Sequence, residues 1–526
     1  MKQNIIFLTA VTVALFLATS CSLNKNPLDT YSDVTQGVSD DTTQSALKDK
    51  AAVLSQYQVL HDALRRGDDG DADHSKNGQE AWYLYTLLLA EVHSDNAYAG
   101  NPSQETTPFE VNSIEGSNVN LGRMWPFYMD KVAQANRLIC NIDKVNDPTL
   151  TDAERARYKA EGLIFRAMVY FDMVRIWGNV PLITTEAVDI TAENVEEVYP
   201  VYFPPQTTSL EVYKQIERDL LDALPDAPAN NAGDKTIFSK SLARTLLAKV
   251  YAEKTLRDYN LSLQYCEEVE ADGFNLVEDF NDLFGVQLTD PTAPPSETNP
   301  AIEIKMRNTV ESIYEAQFTT GDGNWVAWVL SRKLDEWNFN FDFAKWICPS
   351  RDIIKAFTDA GDTKRYTESI VYYDVPWQIY YPKENYPHTY KCRSAFNSII
   401  KYRFADVLLM KAEALIMLGR ESEALPILNR IRQRAGLQDL PASALSGTET
   451  AIKTYLAERR LELAFEGSRW FDLVRLDKVE EVMNSINSRD AGRPALVYPY
   501  DEFSYILPIP QTVLDQNQNL VQNPGY

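Results

Sequence analysis

The segment that most restricts this fold is RFADVLLMKAEALIMLGRESEALPILNRIRQRAGL, Arg403 to Leu437. Leu408, Ala412 and Leu415 recur at helical spacing and place one apolar face on a first helix. Gly419-Arg420 makes a turn, and a second apolar stripe runs through Leu428 to Arg434. Pro426 is expected near the start of this second helix, where a missing N–H costs least. Each helix of such a hairpin exposes an apolar stripe that only another helix can cover. The pattern therefore predicts stacked helical pairs rather than an isolated bundle.

The same habit fills the chain before residue 260. AAVLSQYQVLHDALRR, WYLYTLLLAEV, LGRMWPFYMDKVAQANRLICNI, AERARYKAEGLIFRAMVYFDMVRIWG, SLEVYKQIERDLLDALPDAP and SKSLARTLLAKVYAEKTL each carry helical periodicity. Pro225 and Pro228 end the fifth of these. Small residues inside the stripes, Ala160 with Ala167 and Ala243 with Ala248, let antiparallel helices approach closely. The expectation is a mostly α fold, a tetratricopeptide-like scaffold of degenerate helical pairs.

Between about 261 and 400 the pattern changes. VQLTDPTAPPSETNP reads as a loop and AIEIKM as a short strand. Aromatics and turns then dominate, and five of the 9 Trp fall between Trp325 and Trp377. This is an irregular, aromatic-rich insert with short strands between helical halves at 46–260 and 401–526. The closing YILPIPQTVLDQNQNLVQNPGY, rich in Pro and Asn, is expected to be extended coil.

The N-terminus has an export signal: Lys2, then the apolar run IIFLTAVTVALFLA, then Thr19-Ser20-Cys21. Residues 1–20 read as a lipoprotein signal peptide, Cys21 as the acylated residue and 21–45 as a polar tether to a membrane surface. The net charge of −24 repels phosphate backbones, which argues against nucleic acid as a partner. Cys140, Cys266, Cys348 and Cys392 are far apart and are expected to be isolated thiols. His61, His74, His93 and His388 show no zinc-ligand spacing, and the chain contains no phosphate-binding or dinucleotide motif, so no metal or cofactor is expected.

One stretch resembles catalytic machinery. ERRLELAFEGSRWFDLVRL sets Glu458, Glu462 and Glu466 four apart among Arg459, Arg460 and Arg469. A ladder on one helix does not supply an acid and a base across a cleft. Gly467 is expected to stop the helix and Ser468 to cap the next, with Arg459–Glu462 and Glu466–Arg469 pairs bridging the charges.

SDNAYAG (Ser94–Gly100), YFDMVRIWGNVPL (Tyr170–Leu182), LNRIRQRAGL (Leu428–Leu437), the Glu458–Leu476 stretch and LPIPQTVLDQNQNLVQNPGY follow the lipoprotein-like start in that order. Together they resemble the SusD/RagB family of outer-membrane lipoproteins. The resemblance implies four tetratricopeptide-like pairs packed against a SusC-type TonB-dependent transporter, and a variable side that captures a nutrient, usually a glycan, without enzymatic chemistry. RagB-type relatives carry peptide, so the resemblance leaves peptide or another nutrient open. It also implies ligand contacts from the loop after SDNAYAG, with Tyr98 and Asn101 the candidates and Asp95 a turn residue bonding to backbone.

The residues themselves point to the insert. Sugars present C–H faces that stack on Trp and Tyr, and hydroxyls that need a polar rim. Trp325, Trp328 and Trp337 lie among Asn324, Arg332, Asp335 and Asn338, and Trp377, Tyr380 and Tyr381 lie near Asp374 and Lys383. The acidic loop GDDGDADHSKNG lacks the glutamate of a calcium loop, so its Asp73 is a candidate on a cleft-lining loop.

Overall fold

The computed structural model describes residues 47–64, 86–186, 194–293, 298–299, 301–305, 307–318, 344–394 and 397–526. Cys21, Asp73, Trp325, Trp328 and Trp337, with the leader and tether, lie outside the described residues.

Helices begin where a capping side chain meets an apolar stripe. Helix α1 (Lys50–Asp62) is capped by Asp49, whose carboxylate accepts from Ala52 N at 2.8 Å. Asn118 caps α2 (Val119–Asn141), and Thr151 with Glu154 forms a capping box for α3 (Asp152–Trp177). Thr208, Ser239 and Asp258 cap α4 (Ser209–Ala223), α5 (Lys240–Ala252) and α6 (Tyr259–Ala271). Each such cap contributes about 1 kcal/mol. Helix α3 is buried nearly all round from Ile164 to Trp177, and its Trp177 meets Trp125 edge-on at 5.0 Å. Gly162 keeps α2 close, because a Cβ there would lie 3.1 Å from Ile139.

Along the array, α1 packs on α2, α2 on α3, α3 on α4, α4 on α5 and α5 on α6. Helix α6 then packs directly on a helix almost 150 positions later in the chain, α9 (Phe404–Met417). Helix α9 in turn carries α10 (Glu421–Arg434) and α11 (Thr448–Glu462). The described helices thus form one continuous stack. Helix α6 straddles the expected boundary at 260. Its buried stripe of Tyr259, Ser262, Leu263, Cys266 and Val269 is too mixed in polarity to announce a helix. Pro426 lies in the second turn of α10, not its first, so the ladder loses the bond to the Ser422 carbonyl.

The insert contributes short antiparallel strand pairs: β1 (Ala97–Ala99) with β5 (Ile347–Pro349), β2 (Val286–Leu288) with β3 (Ala301–Ile304), β4 (Ser312–Ala316) with β8 (Ile399–Arg403), and β6 (Ile370–Tyr373) with β7 (Tyr386–Thr389). Helices α7 (Arg351–Ala360) and α8 (Thr363–Ser369) lie between β5 and β6. The last residue of β8, Arg403, leads straight into α9. The C-terminal tail is not wholly extended: Gln511–Gln516 forms a short helix. Asn523 Nδ2 ties the tail to α3 by donating to the Trp177 carbonyl at 2.9 Å. Among the described residues no helix is long and apolar enough to cross a membrane, and the four described cysteines are free thiols.

Candidate functional site

The carboxylate ladder resolves into a buried ion network. Helix α11 ends at Glu462, so Glu466 lies beyond it, and Phe465 and Gly467 adopt φ of +62° and +83°. The stop comes from outside the stretch. The buried Glu91 carboxylate accepts from Phe465 N at 3.2 Å and Gly467 N at 2.8 Å. Ser468 makes no side-chain cap bond at α12 (Arg469–Arg475).

The expected local charge pairs are replaced by distant ones. Arg459 pairs with Asp472 and Asp406, both at 2.7 Å, and Arg469 pairs with Asp95 at 2.8 Å. Glu462 is held by Arg365, Arg403 and Arg434. Glu458 pairs with Arg365 and Arg432, both at 2.8 Å. Glu466 takes Lys391 at 2.5 Å and Arg403 at 2.7 Å, while Glu311 takes Arg403 at 2.7 Å and Arg434 at 2.9 Å. With Asp362 on Arg365, five carboxylates face five cations.

Burial pushes the Glu462 carboxyl up, yet the three guanidiniums hold it well below the ordinary range. Glu458 is buried against two arginines and Glu462 against three, a poor state for an acid or base. The adjoining cavity, about 60 Å³, is far smaller than the ~300–1,000 Å³ of ordinary ligand sites.

Aromatic residues meet on the other side of α7. Strand β1 pairs with β5 so that Tyr98 faces Cys348. Loop 374–385, between β6 and β7, closes through a bond from Val375 N to the Lys383 carbonyl at 2.9 Å and carries Trp377, Tyr380 and Tyr381. All three are half-buried. Tyr380 lies flat on Tyr98, centroids 4.4 Å apart at 14°. Tyr381 and Trp377 meet Tyr386 edge-on at 5.8 Å and 6.0 Å.

Polar groups from three other regions lock this cluster. Tyr380 donates its hydroxyl to Glu110 at 2.5 Å, and Tyr98 donates to Asp490 at 2.6 Å. Arg351, the first residue of α7, places its guanidinium 4.3 Å from the Tyr381 ring centre and donates to the Tyr98 hydroxyl at 3.2 Å. Gly492 makes room for it, since a Cβ there would lie 1.8 Å from Arg351 Nη1. Burial raises the Glu110 carboxyl against the lowering effects of Arg493 and the Tyr380 hydroxyl.

Tyr380 has φ of +43°, a left-handed conformation that costs a non-glycine residue about 1–2 kcal/mol. Its stack and its bond to Glu110 hold it there, and such retained strain concentrates at functional sites. The cluster can offer stacking faces beside a cation, with the two buried carboxylates bracing the rings.

Candidates from two distant parts of the sequence, Tyr98 and the Trp377–Tyr380 loop, therefore meet here. Tyr98 is fully buried and serves as the layer beneath Tyr380 rather than as a surface contact. Asn101 is half-buried just past Gly100, and its carbonyl accepts from Thr106 Oγ1 at 2.7 Å. Among the described residues it takes no part in the cluster. Asp374 closes the loop by accepting from Asn385 N at 2.9 Å, and Lys383 is exposed beside Glu384. Asp95 lies in the expected turn, but its carboxylate is taken by a distant arginine rather than by nearby backbone. It is a buried anion chelated by Arg469 at 2.8 and 2.9 Å. Glu110, Arg351, Asp490 and Gly492 carry no signal in the sequence, because they come from separate segments that meet only through tertiary contacts.

The model of the SusD family matches residues 351–526, and a model described as starch-binding, associating with outer membrane, matches residues 39–252. The two models between them match both helical halves, so the chain is similar to SusD-type proteins on either side of the insert. SusD-like protein P2 of Formosa agariphila is 28% identical over 494 residues, covering 86% of this chain and 90% of the relative. The starch-binding protein SusD of Bacteroides thetaiotaomicron is 23% identical, covering 93% and 94%. Among solved structures, a laminarin-binding SusD-like protein superposes with a TM-score of 0.67 at 23% identity, covering 91% of this chain and all of that one. Surface glycan-binding protein A from Bacteroides thetaiotaomicron, solved with laminarihexaose, gives 0.67 at 18%, covering 90% and 100%. The mostly α, tetratricopeptide-like expectation is met.

Proposed function

We propose that this SusD-like protein is a surface lipoprotein of the outer membrane, anchored through Cys21 by a tether over 21–45 after removal of leader 1–20. It captures an oligosaccharide and delivers it to a SusC-type TonB-dependent transporter. Binding is by stacking and hydrogen bonds, with no bond made or broken.

The observation that carries this reading is the loop bearing Trp377, Tyr380 and Tyr381, with Arg351 at its base. Half-buried rings beside a guanidinium supply a stacking face and a polar group, and the buried Glu110 and Asp490 carboxylates hold the rings in place from below. Relatives described as binding starch or laminarin support the ligand class. The site extends in this proposal to Asp73, Asn101, Trp325, Trp328 and Trp337.

Calorimetry with laminarihexaose, maltoheptaose and a peptide mixture tests it. Saturable heat with a glucan, lost in the Trp377→Ala/Tyr380→Ala double variant, is expected. Heat with peptides alone would replace the glycan by a peptide cargo. Co-purification with a SusC-type transporter tests the delivery step.

A further inference from the structure

A second cleft lies behind the aromatic cluster, between α7, α11 and the chain near Arg489. Its volume is about 620 Å³, within the range of ligand sites. Leu440, Leu456, Leu461 and Val482 contribute apolar wall. Arg432, Lys453, Arg460, Arg469, Lys478 and Arg489 also line it, against Asp95, Glu458 and Glu481. That bias is opposite in sign to the chain's net charge of −24.

The rim is neutralised. Lys453 and Lys478 share Glu449 and Glu481, and Arg432 is held by Glu458 at 2.8 Å. The floor is not. Arg460 contacts Asp352 at 2.8 Å and Asp95 at 3.3 Å. Arg469 chelates Asp95, and Arg489 pairs with Asp352 at 2.6 Å and reaches Asp95 at 3.7 Å. Three guanidiniums share two carboxylates, leaving one positive charge in a largely buried cluster. The Arg460 guanidinium is pulled below its ordinary proton affinity, by burial first, with Arg469 and Arg489 adding to it against the two aspartates. The balanced network around Glu462 has no such surplus. An uncompensated buried charge is costly, and an arriving anion relieves it. Arg489 keeps about a third of its side chain exposed and is the group an arriving anion meets.

We propose that this cleft binds the carboxylate of an acidic sugar, a uronate, with Arg460 and Arg489 facing the anion and the apolar wall covering the ring's C–H face. The choice of a saccharide rests on the glycan reading above; the charge argument does not.

Calorimetry of the full chain with digalacturonate tests this. Saturable heat is expected that weakens with added NaCl, falls at least tenfold in Arg489→Gln and grows several-fold in Asp352→Asn, which adds a second surplus charge. A merely structural role for these residues would not produce opposite shifts. No heat at millimolar digalacturonate, or heat indifferent to both variants, overturns the proposal. So does heat abolished by Trp377→Ala rather than Arg489→Gln, which would place the anion at the aromatic loop. Tighter binding of triglutamate than of digalacturonate would make the cargo a peptide. If neutral glucans give no heat and digalacturonate does, the neutral-glucan part of the proposed function fails while the cleft stands.

Discussion

The Glu462 network and the Tyr380 loop both concentrate polar groups, but they use them differently. Around Glu462 every carboxylate is matched by a cation and closed off from solvent. Around Tyr380 the polar groups hold half-buried rings in place, at the cost of a strained backbone at Tyr380 itself. Charge density around Glu462 therefore marks where helices are locked together, while the proposed sugar platform consists of rings that remain partly open and are braced from beneath.

The largest expected effect separates the two regions by stability. Arg403→Ala leaves Glu311, Glu462 and Glu466 short of a buried partner. Urea unfolding should show a loss of about 3–5 kcal/mol. A loss under 1 kcal/mol would mean that the network is not what locks α9 to α11.

A second test uses pH at the joint between them, Glu91 and His93. Burial raises the Glu91 carboxyl to about 7 and lowers the His93 imidazole to about 4. As pH falls toward 4.5, folded Glu91 takes up its proton before the unfolded chain does, so this group adds stability. As pH falls from 6.5 toward 4, the unfolded chain protonates its histidine first, so His93 removes stability. Each contribution is at most about 3 kcal/mol, and they oppose. Relative to the parent, His93→Gln should gain stability as pH falls from 7 to 4.5, and Glu91→Gln should lose it. Unfolding midpoints across that range with equal slopes in all three proteins would contradict this.

Smaller effects fall on the loop. Tyr380→Phe removes the donor to buried Glu110 and should cost about 1–3 kcal/mol, measured by urea unfolding. Gly492→Ala displaces Arg351 without removing it. It should weaken glycan binding several-fold in calorimetry with little change in stability; unchanged binding would take Arg351 out of the site.

The contrast also shows what a sequence can reveal. The paired helices were legible because their stripes are local: Leu408, Ala412 and Leu415 bury one face wherever they are placed. Helix α6 was obscured by its Tyr-Ser-Leu-Cys-Val stripe, and the end of α11 by a stop that comes from Glu91, more than 370 positions away. At the site, aromatic density pointed to Trp377 and Tyr380. It did not reveal that Tyr98 lies beneath Tyr380, nor that Arg351 and Asp490 brace it, because those contacts join segments far apart in the chain. The spacing suggested Arg459–Glu462 and Glu466–Arg469 pairs, but in this buried stretch the partners arrive from other elements.

The most direct test is retardation in native gels cast with laminarin or starch, run on the parent, Trp377→Ala/Tyr380→Ala and Glu458→Gln, each shown to be folded by circular dichroism. The parent and Glu458→Gln should be retarded alike by at least one polysaccharide, and the aromatic double variant should run free. Retardation lost in folded Glu458→Gln and kept in the aromatic variant would place the ligand at the ladder and contradict the account.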